Sequence, residues 1–468
     1  MKLKTILPIL ALMIAFTGCN KPAGELVGAQ KKTKKFSEAD PFGMLLIRKG
    51  SFMKGENTQS NLFTLPDNKV MSTVDAFWMD ETEVTNNEYK QFVLWVRDSI
   101  AMTLLSQEFI ANEEFSEGAQ FVIIPKEVEE GENEEEHIKL DTALNWLASN
   151  KIPWKKYKTD PVIHRILRPL FYSDNTFNTN RMHYHYSWKN YDQAKLQENK
   201  FDVAKGKYPD NAKARVDSFW VDENGVIFDT TIIRKLVEPK DLYTECIINI
   251  YPDTMVWIRD FQYAFNDPKM LKYFAHEGYA NYPVVGVTWE QAHAFCNWRT
   301  KIMEDNTKID AHMYRLPTEG EWEYAARGGR KMAAYPWGGN YVRDYKGCFL
   351  ANFKPYHGAY NDDTGNGPMA VASYRPNDFG LFDMAGNVSQ WTMESFTPTA
   401  SAIIHDYNPN HAYMARKNDP DQLKRKVIKG GSWKDVKDYL QCGARDYEYQ
   451  YESRPYIGFR CVRSYIGE

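Results

Sequence analysis

The chain has 468 residues, 43% of them hydrophobic and 14% aromatic, which is ample for a packed core and excludes disorder of the whole. With 58 basic and 62 acidic residues its formal net charge is −4, and nothing in that balance points to nucleic acid. The length exceeds that of one ordinary domain.

The first residues read MKLKTILPILALMIAFTGCN. Lys2 and Lys4 precede an apolar stretch, Ile6 to Phe16, that is too short to span a bilayer of about 30 Å as a helix. Residues 1–18 therefore read as a signal peptide. The small residues Thr17 and Gly18 before Cys19 resemble the lipobox of bacterial lipoproteins, in which the cysteine is acylated; the alternative is an ordinary signal peptide with an incidental cysteine. An acyl anchor at Cys19 would hold the protein on a membrane at about 0.8 kcal/mol per buried CH₂. Asn20 is no aspartate retention signal, and Lys21 to Gly24 carry no acidic export cluster. These features predict an outer-membrane lipoprotein facing the periplasm. Residues 19–40, rich in Lys, Gly and Ala, read as its tether.

Three helices are predicted by one device. Thr85-Asn-Asn-Glu88, Thr288-Trp-Glu-Gln291 and Thr318-Glu-Gly-Glu321 all fit the reciprocal capping pattern of a threonine and an acidic or amide side chain. Tyr89, Phe92, Val93, Val96 and Ile100 follow the first at helical spacing; Ala292, Phe295, Cys296 and Ile302 follow the second. The third should be short, closing at Gly328-Gly329. Between them, 98–280 has a different texture. Its acidic run Glu127 to Glu136 reads as a solvated loop. Val216/Ser218 and Val226 to Thr231 read as irregular strands. His183 and His185 would share one face of a strand, as in some zinc sites, yet no third ligand is identifiable and a structural role is the simpler reading. Phe219, Trp220, Tyr251, Trp257 and Tyr263 are expected mostly in the core of this stretch, and otherwise as interface anchors. Cys19 aside, five cysteines remain, an odd number that leaves at least one thiol free.

Seven blocks carry a resemblance. They are Gly50-Ser-Phe-Met-Lys-Gly55, Phe77-Trp-Met-Asp-Glu-Thr-Glu-Val-Thr-Asn86, Tyr282-Pro-Val-Val-Gly-Val-Thr-Trp289, Tyr314-Arg-Leu-Pro-Thr-Glu-Gly-Glu-Trp-Glu-Tyr-Ala-Ala-Arg-Gly328, Gly386-Asn-Val-Ser-Gln-Trp391, Lys429-Gly-Gly-Ser-Trp433 and Gly458-Phe-Arg-Cys461. In this order they resemble the formylglycine-generating enzymes, or sulfatase-modifying factors. They cover 41–97 and 281–468 and leave 98–280 as an insertion, expected to bind partners. The resemblance implies an α+β, loop-rich, C-type-lectin-like core.

Catalytic members of that family place two cysteines a few residues after Gly-Gly-Ser, soft ligands for copper. Here those positions fall on Asp435 and about Leu440, so no catalytic residue is expected and no cofactor is required. Cys442, in Cys-Gly-Ala-Arg, matches a structural stretch of the family instead. The competing reading is a copper-dependent or other oxidase or peptide-modifying enzyme using different residues. The resemblance also implies structural calcium at Asn352, Asp363, Asp383 and Gln390, with Gly386 and Val388 carbonyls nearby; Gln390 replaces a glutamate and so removes a charge. A loop held by hydrogen bonds without metal is the alternative. It further implies a disulfide between Cys296 and Cys461. Cys442, whose usual partner position is Ala326, should stay a buried thiol, and Cys246 and Cys348 should stay reduced.

The lipobox, the Asp75-Ala-Phe-Trp78 start and the helix through Phe92 to Ile100 narrow the resemblance to the GldK (PorK) lipoproteins of type IX secretion and gliding motility. That implies a non-catalytic scaffold, repeated in a periplasmic ring with a GldN (PorN)-type partner and other secretion components.

Overall fold

Short strands joined by tight turns dominate, as the distribution of Gly, Pro and Asn dictates. The computed structural model describes residues 40–55, 69–111, 120–123, 143–144, 152–173, 176–203, 205–222, 225–261, 269, 272–307, 312–355, 365–399 and 405–466. Cys19, the signal peptide, the acidic run, Tyr263 and Asp363 lie outside them.

Four strands come first: β1 (Met44–Ile47), β2 (Gly50–Lys54), β3 (Val70–Val74) and β4 (Phe77–Asp80). Helix α1 (Asn86–Ala111) follows. The middle of the chain holds two minor ladders, β5 (Val122–Ile123) with β6 (Ala143–Leu144) and β7 (Phe171–Ser173) with β8 (Thr176–Phe177), flanking helix α2 (Pro161–Leu167). Then come β9 (His183–Lys189), helix α3 (Tyr191–Ala194), β10 (Lys213–Val221), β11 (Ile227–Lys235), β12 (Tyr243–Asn249) and helix α4 (Val256–Asp260). Helix α5 (Trp289–Thr307), β13 (Tyr314–Arg315) and helix α6 (Glu319–Arg327) lead into β14 (Ser389–Ser395), β15 (Arg425–Lys429), β16 (Asp446–Tyr449), β17 (Ile457–Gly458) and β18 (Val462–Ser464).

Two four-stranded sheets are ordered β1-β4-β18-β13 and β16-β15-β14-β17; the first joins the two ends of the chain, and the second is built from late strands alone. Both are antiparallel except for the parallel β14/β17 pair. Each predicted cap forms in both directions. Thr85 Oγ1 accepts from the Glu88 N–H at 3.2 Å while Glu88 Oε2 accepts from the Thr85 N–H at 2.7 Å, and Thr288/Gln291 and Thr318/Glu321 repeat the exchange. Helix α6 ends on Gly328 at φ 58°, as its sequence requires. The resulting architecture is a loop-rich α+β fold.

Two expectations are corrected. The strands at 213–221 and 227–235 are a regular nine-residue antiparallel pair, because their alternating side chains keep register from Lys213↔Lys235 to Val221↔Ile227. Helix α1 does not stop near Ile100: Ala101, Met102 and Leu105 are buried and carry it to Ala111. The chain therefore has no structural boundary at residue 98. Phe121, Ile163, Leu167, Tyr184 and Phe274 share one core cluster with Tyr89, Phe92, Phe295 and Phe459. Residues 41–465 form one compact unit. No helix among the described residues is long and apolar enough to cross a membrane.

Candidate functional site

The loop leaving β15 turns back at Gly430 and Gly431, with φ of 93° and 64°. A Cβ on Gly431 would meet Leu440 Cδ1 and the Tyr439 backbone at 3.0 Å, so only glycine permits this return. Ser432 Oγ donates to Asp435 Oδ2 at 2.6 Å, and the Asp435 N–H bonds the Ser432 carbonyl at 3.0 Å. Burial raises the Asp435 carboxyl above its usual range. Leu440 is fully buried, packed with Ala334, Tyr335 and Phe349. The two positions thus hold a carboxyl tied to a serine and a core leucine. Cys442 is also buried, and burial pushes its thiol up to about 12, away from the thiolate that metal binding needs.

Residues from 98–280 cover this loop. Trp257 in α4 stacks on Trp433 at 6.4 Å and 20°, Phe261 lies 5.3 Å from it, and Lys434 Nζ sits 3.2 Å over the Tyr456 ring. The indole of Trp433 donates to the Pro455 carbonyl.

The calcium positions fall in a buried polar network. Asn352 Nδ2 donates to the Gly367 carbonyl at 2.9 Å and its Oδ1 accepts from the Gly365 N–H. Gln390 Oε1 accepts from Trp322 Nε1 and from Arg460 Nε, each at 2.7 Å, and its Nε2 donates to the Asp383 carbonyl. Asp383 Oδ2 accepts from the Ala372 N–H at 2.7 Å. These acceptors face N–H donors, and the guanidinium of Arg460 already stands against Gln390. The fourth expected ligand, Asp363, lies outside the described residues, and the three that are described are held here by hydrogen bonds. No cluster of three His, Cys, Asp or Glu side chains among the described residues is arranged for a metal ion. The sequence passed over Glu83 in this network: fully buried, it accepts from Asn387 Nδ2 at 2.7 Å and from the Val388 N–H at 3.2 Å. Burial and the neighbouring Asp383 raise its carboxyl well above the usual range.

A second buried centre was also missed. Glu319 and Glu323 lie one turn apart on α6. Lys54 Nζ is 3.0 Å from Glu319 Oε2, and Arg445 Nε is 2.7 Å from Glu319 Oε1, a contact close by distance without hydrogen-bond alignment. Lys429 Nζ is 3.4 Å and Arg327 Nη2 2.6 Å from Glu323. Burial alone would raise the Glu319 carboxyl, but Lys54, Arg445 and Lys429 outweigh it and hold it well below its usual range. Beside them Glu394 accepts from the Glu319 N–H with Oε1, while Oε2 has no hydrogen-bond partner among the described residues. Burial pushes its carboxyl up to about 7. The i, i+4 spacing of Glu319 and Glu323 inside a block with a buried tryptophan was the one available signal.

The sulfurs of Cys296 and Cys461 lie 3.4 Å apart and are not bonded, so the predicted disulfide is not closed here, although its two thiols face each other. Cys246 and Cys348 are likewise free. His183 and His185 do lie on one face of β9, His183 half-buried and His185 exposed, and partial desolvation lowers both imidazoles below their usual range.

The sequence profile of the sulfatase-modifying factor enzyme 1-like domain matches residues 29–164 and 220–465. The chain belongs to this sulfatase-modifying factor family. The profile leaves 165–219 unmatched, inside the stretch read as an insertion. Mouse formylglycine-generating enzyme is 33% identical over 195 residues, 40% of this chain and 45% of that one. Bovine inactive Cα-formylglycine-generating enzyme 2 is 34% identical over 158 residues, 34% of this chain and 40% of its own. The serine/threonine-protein kinase pkn1 of Chlamydia pneumoniae is 34% identical over 188 residues, 40% and 25% of the two chains. This sulfatase-modifying factor thus spans less than half the length of these curated relatives, among which both active and inactive members occur. The solved structure of PvdO from Pseudomonas aeruginosa aligns over 90% of this chain and 94% of its own at 15% identity and a TM-score of 0.42.

Proposed function

We propose that this sulfatase-modifying factor is a non-catalytic lipoprotein scaffold of the GldK (PorK) kind. It would be anchored through Cys19 in the outer membrane, facing the periplasm, and repeated in a ring with a GldN (PorN)-type partner of the type IX secretion and gliding machinery. The observation that carries the reading is the loop after Trp433. Its two candidate metal positions hold Asp435, bonded to Ser432, and the core residue Leu440, and Trp257 and Phe261 pack over Trp433. A redox site needs thiolates open to copper and substrate. This loop offers neither.

The test has two arms. Full-length protein loaded with Cu(I) is given a thiol peptide and oxygen uptake is followed; no uptake above the copper-only rate is expected, and turnover would overturn the non-catalytic reading. Affinity purification from native membranes is expected to bring down a ring partner and secretion components. Recovery of the protein alone would overturn the scaffold.

A further inference from the structure

A cleft of about 550 Å³ lies over one face of β9, β10, β11 and β12. Met414 to Asn418, Gln450, Tyr451 and the first turn of α5 complete its walls. Its volume lies in the usual range for ligand sites. Trp188, Phe219, Ile248 and Met414 give it an apolar lining.

Among the described residues, every charged side chain of this lining but one is ion-paired. Arg416 meets Asp217 at 3.4 Å, Lys417 meets Asp229 at 2.9 Å, and Lys424 meets Asp421 at 3.1 Å. The exception is Glu290. Lys426 acts on its charge from farther off, with Nζ 3.9 Å from the centre of the Trp289 ring and donating to the Tyr413 carbonyl. Burial raises the Glu290 carboxyl above its usual range, as expected of a charge drawn out of water without a counter-ion. The N-terminus of α5 favours a negative charge there but supplies no partner for its second oxygen. Oε1 accepts from Gln450 Nε2 at 2.9 Å, and Oε2 accepts from no group among the described residues.

The neighbouring amide has a matching gap. Gln450, 6% exposed, also donates Nε2 to the Ala415 carbonyl at 2.8 Å. The two acceptors around Nε2 fix the amide orientation, since a flipped amide would set oxygen against oxygen. Gln450 Oε1 is left with no donor among the described residues. Buried polar atoms are normally satisfied, and this orphan calls for a cause. Two hydrogen-bonded neighbours in one cleft thus each keep an acceptor without a donor, and one of the two is a carboxyl without a counter-ion.

We propose that this cleft binds a primary ammonium group on a short apolar stem, with Glu290 as its counter-ion and Gln450 Oε1 as a second acceptor. An ammonium carries three N–H donors and no acceptor, and its charge balances the carboxylate. An anionic ligand would set acceptor against acceptor. A guanidinium fits less well, because Gln450 already occupies Glu290 Oε1 and leaves the planar fork one oxygen to grip. A divalent metal ion would lack a cluster of three ligating side chains among the described residues. The stem is received by Trp188, Phe219, Ile248 and Met414. A free alkylamine or the lysine side chain of another protein carries this chemistry. The site asks nothing of the scaffold reading, and either can fail alone.

Isothermal titration calorimetry of the full-length protein, in an amine-free buffer at neutral pH, is the test. n-Pentylamine should bind saturably, n-pentanol and n-pentylguanidine more weakly, and pentanoate not at all. Glu290→Gln keeps the shape and an oxygen for Gln450 Nε2, and should lower the affinity for the amine at least about tenfold, the scale of a hydrogen bond to a charged group. A diazirine on the amine's stem reads the site in the unaltered chain, even where the variant fails to fold. Photolabelling should fall on Phe219, Ile248 or Met414 and be competed by n-pentylamine. Acetyl-lysine methylamide separates the sources: binding as tight as that of the free amine assigns a lysine side chain, and its exclusion assigns a free amine. No saturable binding, equal or tighter binding of the alcohol, the guanidine or the carboxylate, an unchanged affinity in Glu290→Gln, or labelling away from the cleft would each overturn the site.

Discussion

Glu394→Gln isolates a buried carboxyl that titrates near neutrality. In the folded protein burial lifts Glu394 from 4.5 to about 7. Between those values the folded chain holds a proton that the unfolded chain has released. Stability from this group is therefore complete below about pH 4.5 and is lost as pH rises through 7. The interval of about 2.5 pH units, at 1.36 kcal/mol each, comes to about 3 kcal/mol. Glutamine keeps an oxygen for the Glu319 N–H and cannot ionise. Chemical denaturation of both proteins from about pH 5 to about pH 8 is the assay. The two should be nearly equally stable at the acid end, with the variant more stable by about 3 kcal/mol at the alkaline end. The difference between curves cancels other titrations, including those of Glu83 and Asp383. Curves that stay parallel would refute the argument, as would a variant that loses stability at every pH.

Mild oxidation should join Cys296 to Cys461, read as a linked peptide in a non-reducing digest; closing a loop of 165 residues would add up to about 5 kcal/mol on chain-entropy grounds. Under native conditions at about pH 8 a thiol reagent should label the exposed Cys348 and spare Cys442, whose thiol is held at about 12; rapid labelling of Cys442 would contradict its burial. Cys19→Ala should shift the protein out of the membrane fraction, and persistence after a urea wash would show that partners hold it.

Local chemistry was readable and long-range electrostatics were not. Thr85, Thr288 and Thr318 announced three helix starts because a cap is satisfied within four residues of chain. Lys54, Arg445 and Lys429 sit on distant segments, and only the folded chain brings them to Glu319. The replacements at Asp435 and Leu440 could be read from the resemblance, but the cover of Trp433 by Trp257 and Phe261 could not, because 98–280 offered no spacing that placed them. The orphan oxygen of Gln450 exists only in relation to its surroundings, and no motif marks it.

Helix α1, with 26 residues, is about 39 Å long at 1.5 Å per residue and passes position 98 without a break. Mechanically it is a rod fixed at its start by the Thr85 cap and along its length by buried residues as far as Ser106, and it contains no glycine or proline at which to bend. A pull applied near Leu105 is delivered to Tyr89 and Phe92 as displacement, with no joint to absorb it. In a ring under load this stiffness would make the middle of the chain and the family core move as one piece. A deletion beginning at residue 98 would saw through the rod, so any excision of the middle segment has to start beyond Ala111.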